Sequence, residues 1–357
     1  MLKGALLGVG HVAVGGHLPG WRKRSDVTIV AAADARPERR EHFAACYPEA
    51  RWYDSAEELL GKEEADLDFV DICTQPSSHA PLVRAALARS LHVLCEKPLV
   101  LSPEELRGLP ALASEKDRTL CTVHNWLRSP AISRMTALVR AGEIGEVRRA
   151  RWETLRDKPA ASVGSTNAGN PGDVAGAPNW RVDPAQSGGG ILVDHGWHAL
   201  YTIAAWMGEP PARVAARLEI RKHSQWPVED TATVILAYPS ATAEIFLTWT
   251  APSRANRIEL EGTLGLLRLE GSRLSLERET APTETWEVPS LTEGSHHPDW
   301  FGGVIDDFLG EIADSRARGR NLAQAALCVQ VLALARESSR RAGGPLGLSR
   351  MAGVPGA

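Results

Sequence analysis

The chain has 357 residues, more than the roughly 250–300 at which one hydrophobic core stops growing, so two domains are expected. Its 43% hydrophobic and 24% charged residues exclude a mainly disordered chain, a collagen and a coiled coil. Lys plus Arg is 40 against 44 for Asp plus Glu, a net charge of −4 with no basic block, which argues against nucleic acid as a partner.

The first third alternates short apolar runs with amphipathic stretches. Strands are predicted at 3–8, 27–33, 67–74, 91–96 and 119–123, and helices at 36–46, 55–60, 77–90 and 103–116. Ser102 and Pro103 suit the cap and first position of the last helix. Strand–helix alternation with uniformly apolar strands predicts an α/β domain, a parallel sheet covered by helices. Near residue 125 the texture changes. A helix at 132–140 ends at Gly142, a strand follows at 147–155, and then comes a long irregular stretch at about 157–190 rich in Gly, Pro, Ala, Ser and Asn. So long a loop is usually functional. A helix is predicted at 191–207. Strands follow at 214–220, 231–238, 243–250, 257–261, 266–270 and 274–278, too close together for crossover helices, so largely antiparallel. Helices at 300–315 and 322–341 precede a Gly/Pro-rich tail read as loose. The division is 1–124, 125–342 and 343–357.

Five cysteines, Cys46, Cys73, Cys95, Cys121 and Cys328, show no CxxC spacing and read as reduced residues of a cytoplasmic protein. The opening MLKGALLGVGHVAVGG superficially resembles a secretion signal, but its glycines fall at meaningful spacing and no twin arginine precedes them. Residues 191–207 are apolar but carry Asp194, His195 and His198, so no membrane span is expected.

Gly8-Val9-Gly10-His11-Val12-Ala13 follows the first strand and opens a helix. The first glycine allows a tight turn, the second lets a pyrophosphate approach, and Ala13 permits close helix–strand packing. Asp34 ends the second strand, where a carboxylate suits the two ribose hydroxyls of NAD and repels the extra phosphate of NADP. It also suits an N-cap of the following helix. Arg36, two residues on, is placed to meet a 2′-phosphate, so NAD leads NADP without excluding it. Thr74-Gln75-Pro76-Ser-Ser-His79 and Glu96-Lys97-Pro98 follow strands at the same carboxyl edge, where ligands of open α/β sheets bind. The plain alternative for Lys97 is a solvated surface lysine.

Gly188-Gly-Gly190-Ile-Leu-Val-Asp194-His195-Gly196-Trp197-His198 is the richest segment. On a helix Asp194 and His198 stand one turn apart, and an Asp beside a His fixes its tautomer, giving a usable general base. His195 and His198 with Asp194 could ligate zinc, but no third-ligand spacing supports it, so no metal is expected. The bland reading is a helix with buried, satisfied polar groups.

Together these residues resemble the Gfo/Idh/MocA oxidoreductases (glucose–fructose oxidoreductase, inositol dehydrogenase and relatives), from about residue 3 to about 341. The glycine turn with His17 downstream, Glu96-Lys97-Pro98 and Asp194-x-Gly196-x-His198 carry the resemblance. It implies an N-terminal Rossmann doubly wound sheet and a C-terminal α+β domain with a large, mostly antiparallel open sheet, the active site lying between them. It implies NAD(P)-dependent oxidoreduction of a secondary alcohol or ketone on a sugar, cyclitol or derivative. Lys97, Asp194 and His198 would be catalytic. Asn125 would lie near the nicotinamide, and Trp180-Arg181 at the substrate mouth. The bond before Pro98 would be cis. Trp126, Trp180 and Trp197 offer a sugar-stacking wall or core packing, and His195, which looks atypical, would touch substrate or shift its neighbour's pKa. Two rivals stand beside this reading: an NAD-dependent glycoside hydrolase using transient oxidation, which would keep every motif, and a non-catalytic sugar-sensing regulator on the same fold, which would be expected to lose the Lys or the His that this chain keeps. Too few helices to cover both faces of the second sheet predict an apolar face buried in a homodimer or homotetramer.

Overall fold

The computed structural model describes residues 1–63, 66–159, 179–293 and 297–349. Residues 160–178 of the expected long loop and 350–357 of the expected tail lie outside the described residues. Six strands, β1 (Leu2–Leu7), β2 (Val27–Ala33), β3 (Arg51–Tyr53), β4 (Phe69–Ile72), β5 (His92–Cys95) and β6 (Leu120–Thr122), form a parallel sheet in the order β3-β2-β1-β4-β5-β6. The winding reverses between β1 and β4, which puts a ligand crevice outside their carboxyl ends.

Helices α1 (Leu18–Arg22), α2 (Arg39–Cys46), α3 (Ala56–Glu63) and α4 (His79–Ala88) connect these strands. The predicted 103–116 helix is two helices, α5 (Pro103–Leu106) and α6 (Leu109–Glu115). Gly108, left-handed at φ +80°, separates them. Ser102 caps α5 as expected, its Oγ accepting the Glu105 N–H at 3.3 Å. β3 escaped the sequence reading because three residues are too short a pattern.

After α7 (Pro130–Arg140) comes β7 (Val147–Leu155), then α8 (Pro184–Ser187) and α9 (Trp197–Met207). Next come β8 (Arg213–Glu219), β9 (Thr231–Ala237), β10 (Thr242–Thr248), β11 (Ala255–Gly262), β12 (Gly265–Glu270), β13 (Arg273–Arg278) and β14 (Ala281–Glu287). Helices α10 (Pro298–Ala313) and α11 (Arg320–Arg340) and strand β15 (Leu346–Gly347) close the described chain. The second sheet runs β14-β13-β12-β11-β7-β10-β9-β8-β15, antiparallel throughout except between β7 and β10. β14 was missed because it is mostly exposed and carries no apolar run. The start of the tail is not loose: Leu346 and Gly347 pair with Val214 and Arg213, and the Ser338 hydroxyl donates to Gly344 O at 2.7 Å.

One face of this sheet buries Trp152, Val234, Ile245, Ile258 and Leu267, with α9 and α11 packed against it. The other face departs from the expected apolar surface over β7, β11, β12 and β13, while β9 and β10 keep Ile235, 44% exposed, and partly exposed Phe246 on it. The charged part alternates Arg and Glu in a lattice of ion pairs: Arg257 with Glu153 (3.2 Å) and Glu270 (3.1 Å), and Arg268 with Glu259 and Glu277 (3.1 Å each). That part gives the expected homodimer or homotetramer no apolar surface to bury.

Helix α10 crosses the division at residue 124. Its Phe301, Val304, Ile305 and Phe308 belong to the same buried cluster as Leu6, Ile29 and Phe69 of the first sheet and Trp21 of α1. Phe69 and Phe308 meet edge to face at 5.6 Å. Asn321, at the start of α11, accepts the Thr122 N–H on Oδ1 (2.7 Å) and donates from Nδ2 to Thr122 O (2.9 Å), and so caps the open edge of β6.

Candidate active site

The glycine turn has the shape a dinucleotide needs. Gly8 sits at φ +92°, and a Cβ there would lie 2.9 Å from the backbone of Cys73 and Thr74, so only glycine fits. A Cβ on Gly10 would meet only Arg36 Nη2, at 3.9 Å, which leaves room for a phosphate above the first helical turn. The helix starting at His11 passes through a π turn, Ala13–His17, before α1. Asp34 ends β2 with its carboxylate accepting Val9 N–H at 2.8 Å and the Arg36 guanidinium at 2.8 and 2.9 Å. Burial pushes this carboxyl up, but Arg36 outweighs it and holds it below the ordinary range. Helix α2 begins only at Arg39, so Asp34 is not its cap. Arg36 is engaged by Asp34 rather than left waiting for a 2′-phosphate.

Two further loops reach the same edge. Thr74 accepts the Ser78 hydroxyl at 2.7 Å, Gln75 is exposed and Pro76 is buried. His79 departs from the expected cofactor contact. It is fully buried, with Nδ1 2.8 Å from Pro98 O and Nε2 3.1 Å from Thr74 O, and ties the two loops together from behind. The Lys97–Pro98 bond is cis. Glu96 accepts Lys97 N–H at 2.9 Å and faces His17 Nε2 at 3.0 Å, while His17 Nδ1 lies 2.8 Å from Asp71, which also takes the Trp21 indole N–H at 2.7 Å. Burial opposes a charge on His17, yet Asp71 and the Cys73 thiol raise its pKa well above the usual value. His17, Asp71 and Cys73 form a trio of possible metal ligands among the described residues, but it is packed solid under Phe301, 4.0 Å from the His17 ring, and works as a hydrogen-bonded strut.

From the second domain, the glycine run sets the catalytic helix. A Cβ on Gly190 would lie 1.9 Å from Glu229 O, so this backbone approach demands glycine. The Glu229 carboxylate accepts the N–H groups of Gly190 (2.9 Å) and Leu192 (3.1 Å), satisfying the start of the helix. Leu192–Gly196 is a second π turn, running into α9. Such turns recur at functional sites because they push side chains out of the regular stripe.

Lys97 and Asp194 meet across the crevice. Lys97 Nζ donates to Asp194 O at 2.7 Å and to its Oδ1 at 3.1 Å. The same carboxylate has His195 Nε2 at 3.7 Å and Arg181 Nε at 4.0 Å. Burial would raise the Asp194 pKa, but Lys97, His195 and Arg181 drive it far below the ordinary range. The expected Asp194–His198 pairing is corrected. His198 Nδ1 is 2.9 Å from the Tyr201 hydroxyl, which accepts the Trp126 N–H at 3.0 Å, and among the described residues no hydrogen bond joins His198 to Asp194. The π turn breaks the one-turn register on which that pairing was read. Burial, then Lys97 and His195, hold His198 well below its usual pKa, so the ring is neutral near pH 7.

The tryptophans divide. Trp126 is stacked on His198 at 4.7 Å and 12° and is 5% exposed, so it backs the histidine and does not form a substrate wall. Trp197 is fully buried. Trp180 remains half-buried, with the Arg181 guanidinium 4.4 Å from its ring centre. Asn125 Oδ1, His195 Nδ1 and Arg181 Nε are buried without a hydrogen-bond partner in the crevice region. Tyr201, Glu229 and Asp71 were missed by the sequence reading. Their signals were an i, i+3 partner for His198, an acidic residue inside the apolar strand β4 and one just before β9.

Residues 2–124 match the oxidoreductase family with an NAD-binding Rossmann fold, and residues 132–268 match the Gfo/Idh/MocA C-terminal domain. The chain belongs to the Gfo/Idh/MocA oxidoreductase family. It is 30% identical over 301 residues to D-apiose dehydrogenase of Paraburkholderia graminis, covering 82% of this chain and 74% of that one. It is 27% identical over 342 residues to dTDP-3,4-didehydro-2,6-dideoxy-alpha-D-glucose 3-reductase of Streptomyces antibioticus, covering 94% and 97%. The structure of an inositol dehydrogenase homolog from Azotobacter vinelandii, complexed with NAD+, superposes with a TM-score of 0.79 at 22% identity, covering 97% of each chain. This Gfo/Idh/MocA protein is thus an oxidoreductase with an NAD-binding Rossmann domain. Among the described residues, no helix is long and apolar enough to cross a membrane.

Proposed function

We propose that the protein transfers a hydride between NAD and a secondary alcohol or ketone of a sugar, a cyclitol or a derivative, in the cytoplasm. The observation that carries this reading is the meeting of Lys97 with Asp194 beside His198 at the carboxyl edge of the dinucleotide sheet. The glycine turn, Asp34 and Thr74–Pro76 would hold the cofactor, with Asn125 near its nicotinamide. Gly10 has the open approach and Asp34 the carboxylate that such a group requires.

The bound dinucleotide supplies the hydride acceptor or donor. The rest follows from the side chains. An ammonium has three N–H donors. Two of them on Lys97 go to Asp194, which fixes the direction of the third. That donor would meet the reacting oxygen and stabilise the negative charge that develops there. His198, neutral and held by Tyr201, would take the hydroxyl proton at Nε2, with Nδ1–H donated to the Tyr201 oxygen. Asp194 thus positions the lysine rather than the histidine. Trp126, flat against the imidazole, prevents the ring from swinging. In the reverse direction the same groups protonate an alkoxide as a ketone is reduced.

The test is a screen of sugars and cyclitols with the NAD-saturated protein, reading thermal stabilisation and then NADH formation. Turnover to a ketone with matching NADH supports the reading. Cleavage of glycosides with no net NADH would replace it with a hydrolase.

A further inference from the structure

Positive charge around the reacting centre exceeds what the described side chains neutralise. Two cations, Lys97 and Arg181, share one carboxylate, Asp194, whose other oxygen faces the His195 ring, kept neutral mainly by burial. Behind them stands Arg156, which follows β7 and is only 4% exposed. Its guanidinium donates to three neutral oxygens: Leu155 O (2.8 Å), Ala255 O (3.0 Å) and Asn256 Oδ1 (3.3 Å). Its Nε is buried with no partner. Among the described residues no carboxylate bonds to it, and Asp194 and the exposed Asp157 act on it only from a distance. Arg254, exposed, adds a further cation: Arg156, Lys97 and Arg254 all act against a charge on the His195 ring.

Burying a guanidinium against neutral acceptors alone is costly, and arginines are almost never fully buried without a partner of opposite charge. The crevice also holds two other unsatisfied donor-bearing groups, Arg181 Nε and His195 Nδ1. The oxidised nicotinamide ring is itself cationic, so that end of the cofactor would bring no compensating anion to the crevice. A neutral polyol would leave it uncompensated. An anionic group would satisfy the free donors and balance the charge in one step.

We propose that the substrate is an acidic sugar or cyclitol, carrying a carboxylate or phosphate that is received on the Arg156, Arg181 and His195 side of the crevice, while its reacting hydroxyl meets Lys97 and His198. This rests on the dehydrogenase reading above. It makes those three residues determinants of specificity, separate from the proton-transfer set.

The experiment uses matched twins with the NAD-saturated full-length protein: glucose with glucuronate and glucose 6-phosphate, galactose with galacturonate, and myo-inositol with its monophosphate. Thermal shift and NADH formation are read for each. The expected result is a rise in Tm with at least one anionic twin and none with its neutral partner, and a kcat/KM at least tenfold higher for the anion. The carboxylate and phosphate arms separate the two anion types. Arg156→Gln should raise KM for the anion at least tenfold and leave NAD affinity within a few-fold. Arg181→Gln provides the same readout if the Arg156 variant does not fold. Neutral twins binding or reacting as well as the anions would overturn the proposal and leave the dehydrogenase reading intact. Stabilisation by the anion with no NADH from any twin would overturn the dehydrogenase reading and keep the anion site. Neither binding nor turnover by any twin, neutral or anionic, would overturn both.

Discussion

Lys97 and Asp194 are held together by two hydrogen bonds, 2.7 Å to the main-chain oxygen and 3.1 Å to the carboxylate, although they stand on different sheets' connections. The main-chain bond matters as much as the ionic one. It locks the ammonium to the backbone of the π turn, so its position does not depend on the Asp194 rotamer. Asp194→Asn should therefore lower kcat less than loss of the lysine does, by about tenfold, the scale of one charge-assisted hydrogen bond.

Lys97→Ala and His198→Ala should each lose turnover on the order of a hundredfold or more, the usual cost of removing an oxyanion donor or a general base. NAD affinity, read by tryptophan quenching, should change only a few-fold. His195→Ala should raise KM more than it lowers kcat. If His195→Ala abolishes turnover and His198→Ala is mild, the base is the other histidine.

Tyr201→Phe should lower kcat by about tenfold, since one hydrogen bond of roughly 1.4 kcal/mol fixes the His198 ring. It should also shift the acid limb of the kcat pH profile, because the hydroxyl sits 2.9 Å from Nδ1. An unchanged profile would sink the assignment of Tyr201 as the positioning partner.

Asp34 spends its carboxylate on Arg36 and Val9, and a 2′-phosphate would meet that carboxylate head-on. The protein should bind NAD at least tenfold tighter than NADP, about 1.4 kcal/mol. Asp34→Ala frees Arg36 and should narrow or reverse that ratio. Tighter binding of NADP by the unaltered protein would overturn the reading of this pair.

Stability should fall as the pH drops below 6.5. His79, His92, His124, His195 and His198 are all held below the usual histidine value of 6.5, mainly by burial. The unfolded chain takes up their protons first, so unfolding gains as pH falls, down to the folded values of about 4 for His92 and about 3 for His124 and His195. Each fully buried neutral ring adds a slope of about 1.4 kcal/mol per pH unit in that window. His17 has the opposite sign. Its raised pKa gives stability that is complete below 6.5 and lost as pH rises through the folded value. A Tm that stays flat from neutral pH to about 4 would contradict the majority effect.

Most of the first sheet was legible because uniformly apolar strands and a glycine turn are strong patterns, and β2 there, like β7 in the second sheet, falls at the predicted residues. The site was legible as a set of residues but not as a set of bonds. Sequence spacing assumed regular helix geometry through Asp194 and His198, and the π turn at Leu192–Gly196 changed which atoms meet. His79 points inward because its two ring nitrogens meet Pro98 O and Thr74 O, long-range and local contacts that composition does not encode. The charged outer face of the second sheet was visible in strands such as Arg257–Glu261, where Arg and Glu alternate with apolar residues, but counting helices drew attention away from it.

The presence of Phe301, Ile305 and Phe308 inside the nucleotide half has an evolutionary meaning. The cofactor module of this protein is not a contiguous stretch of gene. A recombination joint placed after residue 124 would strip the Trp21 and Phe69 surface of its lid, and the graft would inherit a bare aromatic face. A substrate domain exchanged as a unit would have to enter as an insertion that leaves the closing helix at 298–313 in place.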